Sequence, residues 1–232
     1  MMNPMATTKN GLLHAAGIID EAEAELLIDC GFDCLGFPLV LDHHAEDLSV
    51  TEAAAIVAAL SGRARFFLIT YLSRPDEISA LCGELGVGMV QLHGDIAPQQ
   101  LENLRTREPE LRVIKSLIVR DDNFDTLADQ VTRFAPWVDA FITDTFDPAT
   151  GASGATGKTH DWGISKQLVE FSARPVILAG GLNPDNVGEA VARVRPAGVD
   201  VHTGIEGADG RKDRELAVGF VAEARSAFTE LA

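Results

Sequence analysis

Eight short apolar runs, each followed by a stretch with helical spacing, fill the chain, and this alternation limits its fold more than any other feature. The runs are residues 12–18 (LLHAAGI), 33–39 (DCLGFPL), 65–71 (RFFLITY), 88–92 (GMVQL), 112–119 (RVIKSLIV), 138–144 (VDAFITD), 175–179 (PVILA) and 199–202 (VDVH). They are rich in Val, Ile, Leu and Phe with little polar alternation, as strands covered on both faces are. Helices are predicted between them over 20–30, 51–60, 76–85, 97–107, 121–134, 163–172, 184–193 and 213–230. Asp, Ser or Thr precedes most of these, including Asp20, Ser49 or Thr51, and Asp95, and supplies the oxygen that a helix N-terminus needs. Eight strand–helix units in 232 residues fit a single-domain α/β fold, the (β/α)8 barrel, better than a doubly wound sheet. The barrel is expected over 11–232. Residues 1–10 (MMNPMATTKN) read as a polar, disordered leader without the apolar core of a secretory signal.

The formal net charge of −16 repels polyanions at long range, which argues against nucleic acid and anionic membrane surfaces as partners. Local basic residues can still hold a small phosphate. No apolar run reaches the ~18 residues of a transmembrane helix. Cys30, Cys34 and Cys82 are odd in number and lack metal-like spacing, so they read as reduced core thiols of a cytoplasmic protein.

In such a barrel the working residues lie at the C-terminal ends of the strands and in the loops that follow. Strand 1 offers His14 and Ala16 there, and strand 2 leads into LDHHAED. Strand 4 offers Gln91, His93 and Asp95, and strand 6 offers Thr143 and Asp144. After strands 7 and 8, LAGGLNPDNV (178–187) and VDVHTGIEGADGRKD (199–213) run through glycines toward a helix. Glycines let backbone N–H groups approach an anion, and loops after strands 7 and 8 are the usual phosphate cradle of this fold. Gly180, Gly181, Thr203 and Gly204 are the candidate phosphate ligands.

QLHGD (91–95), ITDT (142–145), GATGKTHDW (154–162), ILAGGLNPDNV (177–187) and DVHTGIEGADGRKD (200–213) together resemble the phosphoribosylanthranilate isomerase family, in matching order from about residue 12 to 230. The resemblance implies a (β/α)8 barrel and an Amadori rearrangement of a phosphorylated sugar amine in tryptophan synthesis. It implies no metal and no organic cofactor. The family's general acid, an Asp ending strand 6, matches Asp144; a carboxyl desolvated at a barrel mouth has the raised pKa such an acid needs. Gly157 joins the phosphate candidates, and Gln91, His93, Asp200 and His44 are the candidate substrate contacts. Small phosphosugar substrate, cytoplasm, and a monomer or homodimer complete the expectation.

Four departures mark this chain. The family's base is the Cys of a Lys-Ile-Cys-Gly segment, and here those positions read His14, Ala15, Ala16 and Gly17. A family Ser-Pro-Arg after strand 2 is replaced by HHAEDLS (43–49), which puts Glu46 about where the Arg would bind the anthranilate carboxylate. Ala155 stands for the second Gly of a GGTG-like turn, and His202 and Thr203 stand for Ser-Ser. The phosphate half of the site is kept and the other half is altered.

His14 shares a strand face with Ala16, and an imidazole has a suitable pKa for a relocated base. His14, His43, His44, His93, His160 and His202 all map to strand ends or βα loops, which invites base chemistry or a metal held with Asp42, Asp144 or Asp200. The lack of i, i+4 or CxxC spacing weighs against the metal. Three functions remain open: the family reaction with a relocated base, the same barrel turned to another phosphosugar, or a non-catalytic phosphosugar-binding protein.

Overall fold

A computed structural model describes residues 11–41, 47–120, 122–145 and 159–231. The elements alternate as β1 (Leu12–Ala16), α1 (Glu21–Cys30), β2 (Cys34–Pro38), α2 (Val50–Ala59), β3 (Arg65–Thr70), α3 (Pro75–Leu85), β4 (Met89–Leu92) and α4 (Pro98–Arg107). The second half continues as β5 (Arg112–Val119), α5 (Phe124–Phe134), β6 (Ala140–Thr145), α6 (Trp162–Phe171), β7 (Val176–Leu178), α7 (Val187–Val194), β8 (Gly198–Val201) and α8 (Arg214–Glu230). A three-residue 3-10 turn at Thr203–Ile205, which strand and helix periodicity does not reveal, follows β8. All strands are parallel and close into one barrel in chain order, with β1 pairing to both β2 and β8. The expected (β/α)8 class holds.

Alternation along each strand divides the apolar residues between two cores. Leu12, Phe67, Ile114, Ile142 and Ile177 fill the barrel interior, while Leu13, Leu35, Leu68 and Val90 pack outward against the helices. The three cysteines are free thiols; Cys34 and Cys82 are buried and Cys30 is half-buried. Among the described residues no helix is long and apolar enough to cross a membrane.

Helix starts follow two chemistries. Asp20, Ser49, Asp161 and Asp213 accept backbone N–H groups at the starts of α1, α2, α6 and α8. The expected cap Asp95 does not serve; α3 and α4 instead begin on Pro75 and Pro98, whose missing N–H needs no partner in a first turn. Helix α7 begins three residues later than predicted, because Asn186 spends its side chain on the turn before it, accepting from Asn183 N at 2.9 Å.

The N-terminal face of the barrel keeps its charges paired. Asp139, just before β6, accepts from Val113 N at 2.8 Å and binds Arg112 at 3.0 Å and Arg105. Asp33, just before β2, accepts from Leu13 N at 2.8 Å and pairs with Arg225 at 2.8 Å. Polar residues at this face serve stability, and the opposite face carries the chemistry in barrels of this kind.

Candidate active site

The loops after β7 and β8 are built against one another. Gly180 and Gly181 take φ of 102° and 63°, the left-handed region that a side chain resists. A Cβ on Gly180 would lie 2.9 Å from His160 Nδ1 and nearer still to Thr145 Oγ1. His160 itself bridges Thr145 Oγ1 at 2.8 Å and Ser165 Oγ at 2.6 Å, tying β6 to α6, and burial lowers its pKa to about 4. It is therefore a neutral strut. Asn186 donates to Gly181 O at 3.0 Å and closes the first loop. Gly204, in the turn after β8, lies so close to the first loop that a Cβ there would stand 2.8 Å from the Leu182 carbonyl carbon. Gly180, Gly181, Thr203 and Gly204 thus belong to one double loop. Such a surface offers an anion backbone N–H groups and the Thr203 hydroxyl.

Two carboxyls face the same mouth from β6 and β8. Asp144 is half-buried and accepts from Thr145 N at 2.7 Å. Burial raises its pKa, and the nearby His93 opposes that rise. Asp200 is 9% exposed, and its Oδ1 has no hydrogen-bond partner among the described residues. Burial, and then the charge of Asp144, push its pKa up to about 8, with Lys212 pulling the other way. Like charges sharing a desolvated site do not both ionise easily, so the pair holds a proton at neutral pH. On β4, His93 Nδ1 meets Ser116 Oγ at 3.1 Å, and Gln91 donates to the same hydroxyl at 3.2 Å. The Ser116 hydroxyl, with one proton and two lone pairs, thus joins Gln91 and His93 in one buried polar cluster. Tyr71 packs edge-on against that ring at 5.0 Å.

His14 lies below this cluster. It is 0% exposed, tilted against Phe67 at 5.1 Å, with no hydrogen-bond partner for either ring nitrogen among the described residues. Burial first, and then the Arg65 charge, lower its pKa to about 4. It shares the inward face of β1 with Ala16, one layer deeper, so a molecule at the mouth meets Ala16 first.

His202 lies at the other end of that relationship. Its ring rests on Gly17, next to Ala16: a Cβ on Gly17 would stand 2.6 Å from Cδ2, 2.7 Å from Cε1 and nearer still to Nε2. His202 Nε2 is 3.5 Å from Glu206 Oε1. Lys212 donates to that same oxygen at 2.7 Å and to the His202 carbonyl at 3.1 Å. Glu206 and Lys212 lie within the GIEGADGRKD motif but, like Ser116, are not among the residues expected at the site from the sequence. The motif was the signal for the first two; nothing local marks Ser116.

His43, His44, Glu46, Ala155 and Gly157 lie outside the described residues. Lys115 points to the helix side of β5, buried, donating to Ser116 O at 2.9 Å, and burial lowers its pKa to about 8. Arg74 is exposed and paired with Asp76 at 2.9 Å. Among the described residues, no three His, Cys, Asp or Glu side chains are grouped as a metal ion would require.

Residues 53–223 match the family described as N-(5'-phosphoribosyl)anthranilate (PRA) isomerase. N-(5'-phosphoribosyl)anthranilate isomerase 2 of Methanosarcina mazei is 37% identical over 221 residues, spanning 93% of this chain and 95% of that one. The N-(5'-phosphoribosyl)anthranilate isomerase of Haloferax volcanii is 36% identical over 218 residues, spanning 93% of each. The structure of phosphoribosyl anthranilate isomerase from Thermotoga maritima superposes with a TM-score of 0.79 at 25% identity, over 93% of this chain and 99% of that one. The chain belongs to the N-(5'-phosphoribosyl)anthranilate isomerase family.

Proposed function

We propose that this chain catalyses the Amadori rearrangement of N-(5'-phosphoribosyl)anthranilate, turning a phosphorylated aldose amine into a ketose amine in tryptophan biosynthesis. The observation that carries the reading is the Asp144 carboxyl, its pKa raised at the end of β6 in the mouth where the glycine loops meet. As general acid, Asp144 protonates the furanose ring oxygen; the C1–O bond breaks and the anthranilate nitrogen supplies electrons to form a C1=N iminium. Asp200 supports this role, because two carboxyls in one desolvated mouth favour retention of a proton on the pair.

Gly180, Gly181, Thr203 and Gly204 seat the phosphate in this reading, with Gly157 a fifth contact. Gln91, His93 and His44 contact the sugar and the aromatic acid. The enzyme is cytoplasmic, needs neither metal nor organic cofactor, and works as a monomer or homodimer. A base must then take the C2 proton. Ala16 has none to offer, and His14 is neutral but buried beneath it. That leaves the role to a side chain of the mouth itself.

A second reading is favoured by Ala16 specifically: a family member whose substrate keeps only the phosphosugar half. Complementation of a strain lacking phosphoribosylanthranilate isomerase separates the two. Growth without tryptophan that disappears in Asp144→Asn supports the Amadori reaction. No growth from a folded, expressed chain supports the changed substrate.

A further inference from the structure

We infer that His202 is the base that removes the C2 proton, doing from the end of β8 what Ala16 cannot do from the end of β1; the inference rests on the proposed Amadori reaction. Three observations converge on it. The first is position. The space that a side chain at Gly17 would occupy is filled by the His202 ring, so the imidazole packs on the backbone one residue past Ala16, which lacks a functional group.

The second is access. The His202 side chain is 30% exposed at the mouth, whereas His14 is sealed within the barrel. The third is support from behind. Glu206 faces Nε2 at 3.5 Å, and its carboxylate offsets the positive charge the ring acquires when it takes a proton. Lys212, with its side chain 1% exposed, fixes Glu206 at 2.7 Å and holds the His202 carbonyl, so one buried ammonium ties the carboxylate to the His202 backbone. That ammonium also acts on Asp200, which in turn feels Asp144.

The step balances without a co-reactant. His202 accepts the C2 proton, the C2–H electron pair becomes the C1=C2 bond, and the C1=N pair returns to nitrogen. The resulting enolamine loses the O2 proton and gains one at C1, leaving a ketone at C2. Nothing is oxidised or reduced overall.

The experiment measures kcat and KM of the purified full chain on N-(5'-phosphoribosyl)anthranilate, with Asp144→Asn as reference. His202→Ala and His202→Gln are expected to lower kcat by about 10²-fold or more, the range of a general base, with KM changed less than about threefold. Substrate deuterated at C2 is expected to show a larger isotope effect on kcat in His202→Gln than in the wild type. Restoring the family's thiol as Ala16→Cys in the His202→Ala background is expected to recover at least about tenfold, which no loss of packing would allow. His202→Gln keeps the contact with Gly17 should His202→Ala fail to fold. Wild-type turnover that persists in His202→Gln overturns the inference and leaves the reaction standing; so does a His14→Phe variant that loses turnover while His202→Gln keeps it. A folded wild type without turnover, no better than Asp144→Asn, overturns the reaction and the inference with it.

Discussion

Gly204 rests against Leu182 so closely that any side chain on it would collide with the Leu182 carbonyl. The two residues join the loop after β8 to the loop after β7, and the proposed phosphate seat exists only because they touch. Gly204→Ala forces the loops apart. A rise in KM of about tenfold or more with a smaller change in kcat is expected, since uniform binding energy is what a distant phosphate seat contributes. An unchanged KM would show that the phosphate is held elsewhere.

Asp200 makes stability depend on pH. Its folded pKa of about 8 lies above the unfolded value of 3.8, so between those values the folded state holds a proton the unfolded state has released. Stability therefore falls as pH rises through this window, and the loss is complete above pH 8. Asp200→Asn removes the dependence. Relative to the wild type, the variant should gain on the order of 6 kcal/mol between pH 4 and pH 9, read by denaturant unfolding. Parallel curves for the two proteins would refute the assignment.

His14 acts with the opposite sign. Its pKa drops from 6.5 to about 4 on folding, so the unfolded chain takes up a proton first as the solution is acidified. Stability is lost as pH falls from 6.5 to 4. His14→Leu should remove about 3 kcal/mol of that acid loss, and should also raise stability at pH 7 by about 1–3 kcal/mol, because two buried ring nitrogens without partners disappear. A variant less stable than the wild type at both pH values would mean that the ring has a partner.

Val40, just past β2, has φ of 54°, a conformation that a β-branched side chain resists. Its carbonyl accepts from Thr70 Oγ1 at 3.3 Å, an attachment that any residue at 40 retains. Val40→Asn, which tolerates the left-handed region, should add about 1 kcal/mol, or roughly 2–4 °C in Tm. Calorimetry showing no gain would place the strain elsewhere.

Much of the barrel was legible along the chain because each strand and helix announces itself locally. The fifth strand, expected at 112–119, forms at Arg112–Val119, since eight mostly apolar residues admit few other readings. Helical spacing extends back to 184–186, so periodicity sets the start of α7 too early; Asn186 turns its side chain back to Asn183. Among the candidate site residues, Asp144, Gly180 and Gly204 are identifiable from motif order. Ser116 is not, because its meaning comes only from Gln91 and His93 on the neighbouring strand.

Periodicity and motif order were thus enough for the (β/α)8 class, the family and the pair of glycine loops, since those follow from local propensity and short spacings. The local run at the end of β1 showed only that a functional group was missing there. What stands in its place came from closure of the barrel, which lays β8 alongside β1 and brings His202 onto Gly17 across most of the chain. The fates of the two histidines were likewise decided by packing: the same imidazole is neutral and sealed at position 14, and set at the mouth beside a carboxylate at position 202. Burial and neighbouring charge govern what such a group can do, and both are properties of the closed barrel.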